Sequence, residues 1–450
     1  MKGKLIEKID ALIEASRKEL AADIIKLVNI KSVQGEPLPG APFGAGPKRV
    51  LDTVLEMGQK EGFFTEDYGV GVVSAALKEG QPDLGIWLHG DVVPEGDGWN
   101  FEPYNAVEYK GCIIGRGATD NKGQLAAIFH LFKIFKKLDI ELKYNPAIYI
   151  GSNEETGMKD MIGIPGNEEA KGFLHVCTPP RLSLVPDSGF PVGYGGKGSI
   201  KLTLRSRTPL HGFILEAGQD DAPGRATAFF ENEKIITDSV PRHGSNPDEK
   251  GNMITKMVQV LLERNMVEER DVYILEFMKK VSLDTDGSMF HINVKSETMK
   301  PLSLNTKRIN TRNGYPELLV DIRYPIEITG EEIVKRVSKV CMESGFQVSD
   351  IYYGTAPYLM NTNTEVIEKL TQVANEVTGD CALPYTLGGS TYAHRLPNAL
   401  VYGMNGCLPP QDFPKGHGGA HGRDEAVSLE RLQRAMKIYA RALLTLNEIF

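Results

Sequence analysis

His89, Asp91, Asp120, Glu154, Glu155, Asp187 and His421 are the residues of this chain best suited by type and order to do chemistry. Imidazole nitrogen and carboxylate oxygen are the ligands that hard and borderline divalent cations prefer. Two such ions about 3.5–4 Å apart need a shared ligand, and together they clamp the attacking and leaving oxygens of a hydrolysis. One assignment uses each residue once. His89 and Asp187 hold the first ion, Glu155 and His421 hold the second, and Asp120 bridges them. Asp91, two residues after His89, is close enough to reach the far ring nitrogen, fix its tautomer and raise its basicity. Glu154 cannot point the same way as its neighbour Glu155. With Glu155 on a metal, Glu154 is left to take a proton from the bridging water and pass it to the leaving group. The expected catalytic groups are therefore Glu154 and, in support, Asp91.

Each residue also has an ordinary reading. His89-Gly90-Asp91 suits a strand-to-turn junction, and Asn153-Glu154-Glu155 suits a solvated loop or helix start. Asp120 suits the N-cap of a helix beginning at Asn121. The metal reading draws its weight from the whole series, each member expected where an apolar strand ends.

The elements that must position these residues alternate along the chain. Apolar residues at helical spacing predict helices over 5–27, 48–62 and 121–138. Residues 37–47, rich in Gly and Pro, predict a loop. Strands are expected over 70–76, 84–88, 147–151 and 182–185. This alternation predicts an α/β fold, a mixed sheet with helices on both faces, and ligands bind such sheets beyond the carboxyl ends of strands. The glycines of 193–198 read as a hinge or linker. Beyond them, strands at 199–205, 317–324 and 346–353 and helices at 252–263 and 331–343 describe a separate α+β unit. The α/β pattern resumes near Asn361 and closes with a helix over 429–446. The expected organisation is a discontinuous catalytic domain, 1–195 with 357–450, and an inserted domain, 196–356.

At 450 residues the chain is too long for a single core, which agrees with two domains. A net charge of −8 argues against nucleic acid or an anionic membrane as partner, because no basic excess is available for phosphate contacts. The cysteines, Cys112, Cys177, Cys341, Cys381 and Cys407, are scattered and odd in number, as expected of reduced thiols in a cytoplasmic protein. The amphipathic N-terminus does not read as a signal peptide, and no apolar run approaches the ~20 residues of a membrane span.

Longer motifs surround these residues. They are His89-Gly90-Asp91-Val92-Val93-Pro94, Gly115-Arg116-Gly117-Ala118-Thr119-Asp120-Asn121-Lys122-Gly123, Gly151-Ser152-Asn153-Glu154-Glu155-Thr156, Pro186-Asp187, Gly388-Gly389-Ser390-Thr391 and Ala420-His421-Gly422-Arg423-Asp424-Glu425. Through them the chain resembles the di-metal aminoacylase/carboxypeptidase family of metallopeptidases, most closely its bacterial dipeptidase V-like branch. The resemblance implies a hydrolase of dipeptides or very short peptides with a free C-terminal carboxylate. It implies two divalent ions, zinc first, with manganese and cobalt also suited to this ligand set. It implies a cis Asp120–Asn121 peptide and an inserted domain acting as a lid. His243, in Arg242-His243-Gly244-Ser245, matches the histidine that donates to the tetrahedral oxyanion; a polar loop histidine is the plainer reading. Arg323, in Asp321-Ile322-Arg323-Tyr324-Pro325, matches the arginine whose fork grips the substrate carboxylate; a surface ion pair is the plainer reading. An N-acyl-amino-acid deacylase would share the metal site, and a non-catalytic peptide-binding relative would show decay of it. Both a monomer and a homodimer suit the family. The chain departs from the pattern at Asp220-Asp221-Ala222-Pro223, Gly195-Gly196-Lys197-Gly198, Ser390, His394 and His417, all outside the expected metal ligands.

Overall fold

Leu84–His89, Pro146–Gly151 and Leu182–Val185 are short apolar runs of the kind that form strands buried on both faces. They pair in parallel, with His89 opposite Gly151 and Ile86 opposite both Ile148 and Leu184. Parallel register places their three carboxyl ends along one edge. Ala399–Val401 extends this sheet parallel to Leu182–Val185, and Val72–Ala76 and Phe64–Asp67 extend its other side antiparallel. The structure is a computed structural model and describes residues 2–164, 166–167, 169–217, 225–238, 253–360, 364–406 and 408–450.

Side chains alternate across the sheet. Ile86, Leu88, Ile148 and Ile150 enter a core shared with the helices Lys2–Ala15, Arg17–Val28, Ala45–Lys60, Gly123–Lys137, Glu365–Thr378 and Leu429–Leu446. Trp87 and Tyr149 point the other way and stack with ring centroids 4.3 Å apart. Phe173 and Tyr392, from the short helices Phe173–Val176 and Tyr392–His394, close over them. Helices therefore cover both faces, with the long ones on a single side. This sheet and its helices form one compact unit, Met1–Tyr194, Met360–Tyr385 and Thr391–Phe450.

The second unit comprises Gly195–Leu359 and Thr386–Ser390, so a short piece of the C-terminal segment belongs with the middle of the chain. Its seven strands run in the order Lys234–Asp238, Arg225–Phe230, Phe213–Ala217, Ser303–Arg312, Tyr315–Tyr324, Gly198–Ser206 and Phe346–Tyr353, all antiparallel. Gly198–Ser206 alternates buried and half-buried residues, as a strand with one face on a core must. That core joins Ile200, Leu202 and Leu204 to residues of the helices Met253–Glu263, Glu269–Leu283 and Gly330–Glu343.

Two sequence expectations change. The helix expected over 5–27 is two helices, broken at Ser16, whose hydroxyl donates to the Ile13 carbonyl at 2.9 Å. The linker expected over 193–198 falls where the two units divide, between Tyr194 and Gly195, but it is built as strands, Gly193–Gly196 and Gly198–Ser206. Gly195 and Gly198 have no positive φ. They are needed for thinness: a Cβ would approach Leu359 Cδ1 to 2.8 Å at Gly195 and Tyr324 Cζ to 2.6 Å at Gly198. No described helix is long and apolar enough to cross a membrane.

Candidate active site

Three parallel strand ends supply His89, the Glu154-Glu155 pair and Asp187 from one edge of the sheet. Asp120 and His421 arrive differently. Asp120 lies in one wide helical turn, Ala118–Lys122, which its own φ of −146° and ψ of 87° interrupt. The regular helix starts at Gly123 after Lys122, so Asp120 does not cap it. The Asp120–Asn121 peptide is cis. His421 sits at φ 60° in the loop before the strand Ala426–Ser428. That strand pairs with Cys112–Ile114, just upstream of Asp120, and so joins chain segments some 300 residues apart.

The side chains converge on Asp120. His89 Nε2 lies 2.9 Å from Asp120 Oδ1, and His421 Nε2 lies 3.2 Å from Asp120 Oδ2 and 3.0 Å from Glu155 Oε1. Ligand atoms of His89, Asp120 and Asp187 all lie within 4.8 Å of one another, as do those of Asp120, Glu155 and His421. Asp120 belongs to both groups. Asn121 Nδ2 donates to the Pro186 carbonyl at 3.1 Å and to Asp187 Oδ1 at 3.3 Å, which ties Asp187 to the same turn.

Asp91 faces the His89 ring, as its spacing suggests, and does a second thing as well. The His89 Nδ1 partner is the Asp91 main-chain carbonyl at 3.0 Å, while the carboxylate stands 3.6 Å away. Without a metal, a protonated ring donates from Nε2 to Asp120; with Nδ1–H held by Asp91, loss of the Nε2 proton would free that lone pair for an ion. The buried carboxylate also accepts from the Glu154 and Glu155 amides, each at 3.1 Å, and so fixes the turn that carries the two glutamates.

Burial and like charge dominate the electrostatics. Burial works to raise the Asp120 carboxyl, but the His421 and His89 imidazoles overcome it and hold the group far below the usual range. Burial, then the Asp120 charge, pushes Asp187 up to about 8. Burial also drives Glu154 well above its ordinary value; His89 opposes this, and Asp187, Glu155 and Asp91 reinforce it. Glu154 Oε1 is buried with no hydrogen-bond partner. Buried charges are ordinarily paired or bound to metal. Three crowded carboxylates and two imidazoles are a donor set that two divalent ions fit, with the orphaned Glu154 oxygen outside both groups.

Several supporting residues carried no signal at the sequence level. Asp160 is fully buried, and its Oδ2 accepts from the Ser152 and Asn153 amides at 2.8 and 3.0 Å and from the Tyr392 hydroxyl at 2.5 Å. It steadies the start of the Glu154-Glu155 turn. A Cβ at Gly151 would overlap both the Tyr392 hydroxyl and the Asp160 carboxylate. Gly151→Ala is therefore expected to destabilise the fold by about 1–3 kcal/mol, the usual effect of overpacking, as a lower denaturant midpoint in equilibrium unfolding. An unchanged midpoint would show that the turn yields freely.

Arg323 lies in the second unit. Its Nε and Nη2 donate to the Asp321 carboxylate at 3.0 and 3.2 Å, and its Nη1 lies 3.4 Å from Ser390 Oγ. Asp321 is buried and also pairs with Lys307 at 3.0 Å, so this is not a surface ion pair. His243 and Asp220-Asp221 fall outside the described residues.

Two three-ligand groups sharing one aspartate are the mark of a metal-dependent hydrolase, and the chain as a whole agrees. The model of peptidase family M20/M25/M40 matches residues 86–445, most of the chain, and the protein belongs to that family. The Bacillus subtilis (strain 168) protein named "Putative dipeptidase YtjP" is 27% identical, over 95% of this chain and 97% of its own length. Human carnosine dipeptidase 1 has the same fold, with a TM-score of 0.64 at 16% identity and 99% of each chain covered. So does YXEP of Bacillus subtilis, a dinuclear metal-binding peptidase of the M20 family, with a TM-score of 0.52 at 11% identity, covering 97% of this chain and 100% of that one.

Proposed function

We propose that this enzyme is a dipeptidase that cleaves the peptide bond of dipeptides and very short peptides bearing a free C-terminal carboxylate. The observation that carries this is Asp120 standing in both ligand groups, with Glu154 in neither and its amide held by Asp91. His89, Asp120 and Asp187 would hold one ion, and Asp120, Glu155 and His421 the other, zinc being the proposed metal. When bound, the ions polarise the scissile carbonyl and lower the pKa of water. Glu154 takes the proton of the attacking water and delivers it to the departing amine nitrogen. Burial, which favours a protonated Glu154, suits the second half of that exchange. The oxyanion receives a hydrogen bond from His243, on the strength of the family motif. Arg323 receives the substrate carboxylate, and closure of the inserted domain as a lid completes the site.

Two tests follow. Metal-stripped protein given back zinc should hydrolyse unblocked dipeptides and leave N-acetylated amino acids intact; the reverse preference would make it a deacylase. A dipeptide should also be cleaved faster than its C-terminal amide. A charged hydrogen bond contributes about 1.5–3 kcal/mol, so kcat/KM should differ by roughly 10–150-fold. Arg323→Lys, which loses the fork, should narrow that gap. A variant that keeps full discrimination would remove Arg323 from carboxylate recognition.

A further inference from the structure

A buried ion pair lies beneath the two segments that carry Asp120 and His421. Arg116 is 1% exposed and Glu425 is wholly buried, and Arg116 Nη1 donates to Glu425 Oε2 at 2.6 Å. Such a pair is poor evidence of stability, because desolvating both charges offsets most of their attraction, and apolar replacements are often neutral or better. Its other contacts are more telling. Glu425 Oε1 accepts from the Thr119 and Asp120 amides at 2.9 and 3.0 Å. These amides lie in the interrupted turn at Asp120. Arg116 Nη2 donates to the His421 carbonyl at 3.2 Å and to the Glu95 carbonyl at 3.2 Å. His421 has a φ of 60°, in the left-handed region that residues other than glycine adopt uncommonly.

The arrangement is reciprocal. Arg116 precedes Asp120 by four residues, yet its side chain holds the segment of His421. Glu425 follows His421 by four residues, yet its side chain holds the segment of Asp120. The Trp99 ring lies 5.2 Å from the guanidinium carbon, and the Gly115 amide donates to the Glu425 carbonyl at 2.9 Å, so the crossing is fixed along its length. We propose that Arg116 and Glu425 are positioning residues that hold the shared aspartate and the C-terminal histidine in register for metal binding. This rests on the metal reading above. Partners that orient ligands from behind typically contribute 10–100-fold in metal affinity.

The test separates register from stability. The double variant Arg116→Met/Glu425→Leu removes both charges and the side-chain hydrogen bonds of the pair while filling the space with apolar side chains. Glu425→Gln keeps Oε1 for the two amides but sets an amide NH2 against the Arg116 N–H donor, so it breaks the ion pair alone. Zinc affinity of metal-stripped protein is read by titration calorimetry, and folding by thermal melting. The double variant should stay folded and bind zinc at least about 10-fold more weakly, and Glu425→Gln should bind it more weakly than wild type and more tightly than the double variant. A folded double variant with wild-type affinity for both ions overturns the proposal. If the double variant does not fold, Glu425→Gln decides: weaker zinc binding in a fully folded protein supports the proposal, and unaltered binding overturns it. Wild-type protein that takes up no zinc, manganese or cobalt would instead end the metal reading itself.

Discussion

Glu154→Gln should lower kcat by about 10²–10⁴-fold, the usual contribution of a general acid–base group, while metal content and KM stay near wild type. The amide of Glu154 is held by Asp91 Oδ1, so the substitution leaves the turn in place. The side chain belongs to neither ligand group, so its loss removes no metal contact. Glutamine matches glutamate in size but cannot carry a proton from water to amine. Glu155→Gln should behave in the opposite way, because Glu155 Oε1 stands 3.0 Å from His421 Nε2 within the second group. It should lose metal first and activity as a consequence. Metal analysis beside steady-state kinetics distinguishes the two. Loss of metal in Glu154→Gln with retention in Glu155→Gln would mean that the roles are exchanged.

The largest effect is expected at Asp120. It is the only residue common to both ligand groups, and it faces His89 on one side and His421 on the other. Asp120→Ala deletes a ligand from each ion at once, and with it the negative charge between two imidazoles. Metal content should fall from two ions per chain to none, and activity to background. His421→Ala, by contrast, touches the second group alone and should leave one ion bound. Elemental analysis after dialysis reads both. Equal metal loss in the two variants would argue that the ions do not share the aspartate.

How legible the site was depended on how each residue reaches it. His89, Glu155 and Asp187 follow buried parallel strands, and the apolar runs that mark such strands are plain in the sequence. Asp120 and His421 do not follow strands. The turn at Asp120 breaks helical geometry, and His421 is brought in by a three-residue strand pairing across some 300 residues; neither feature has a local periodic signal. They were legible through longer motifs only. The Asp91 carboxylate shows the limit of spacing arguments: its place against the His89 ring two residues away is readable, but its hold on two amides 63 and 64 residues on is not. Arg116, Asn121, Asp160, Glu425 and Tyr392 were invisible as supports because their partners are distant in sequence. The glycines at 195 and 198 mark the division between the units, but their strand conformation is not legible, because glycine looks the same whether a site needs freedom or thinness. In the second unit the strands Phe213–Ala217 and Arg225–Phe230 passed unread, since five or six residues of weak alternation compete poorly with loop.

Anomalous diffraction from crystals of zinc-loaded protein would test the paired site most directly. Two peaks about 3.5–4 Å apart are expected, one flanked by His89 and Asp187, the other by Glu155 and His421, with Asp120 between them. A single peak, or a pair placed elsewhere in the molecule, would contradict it.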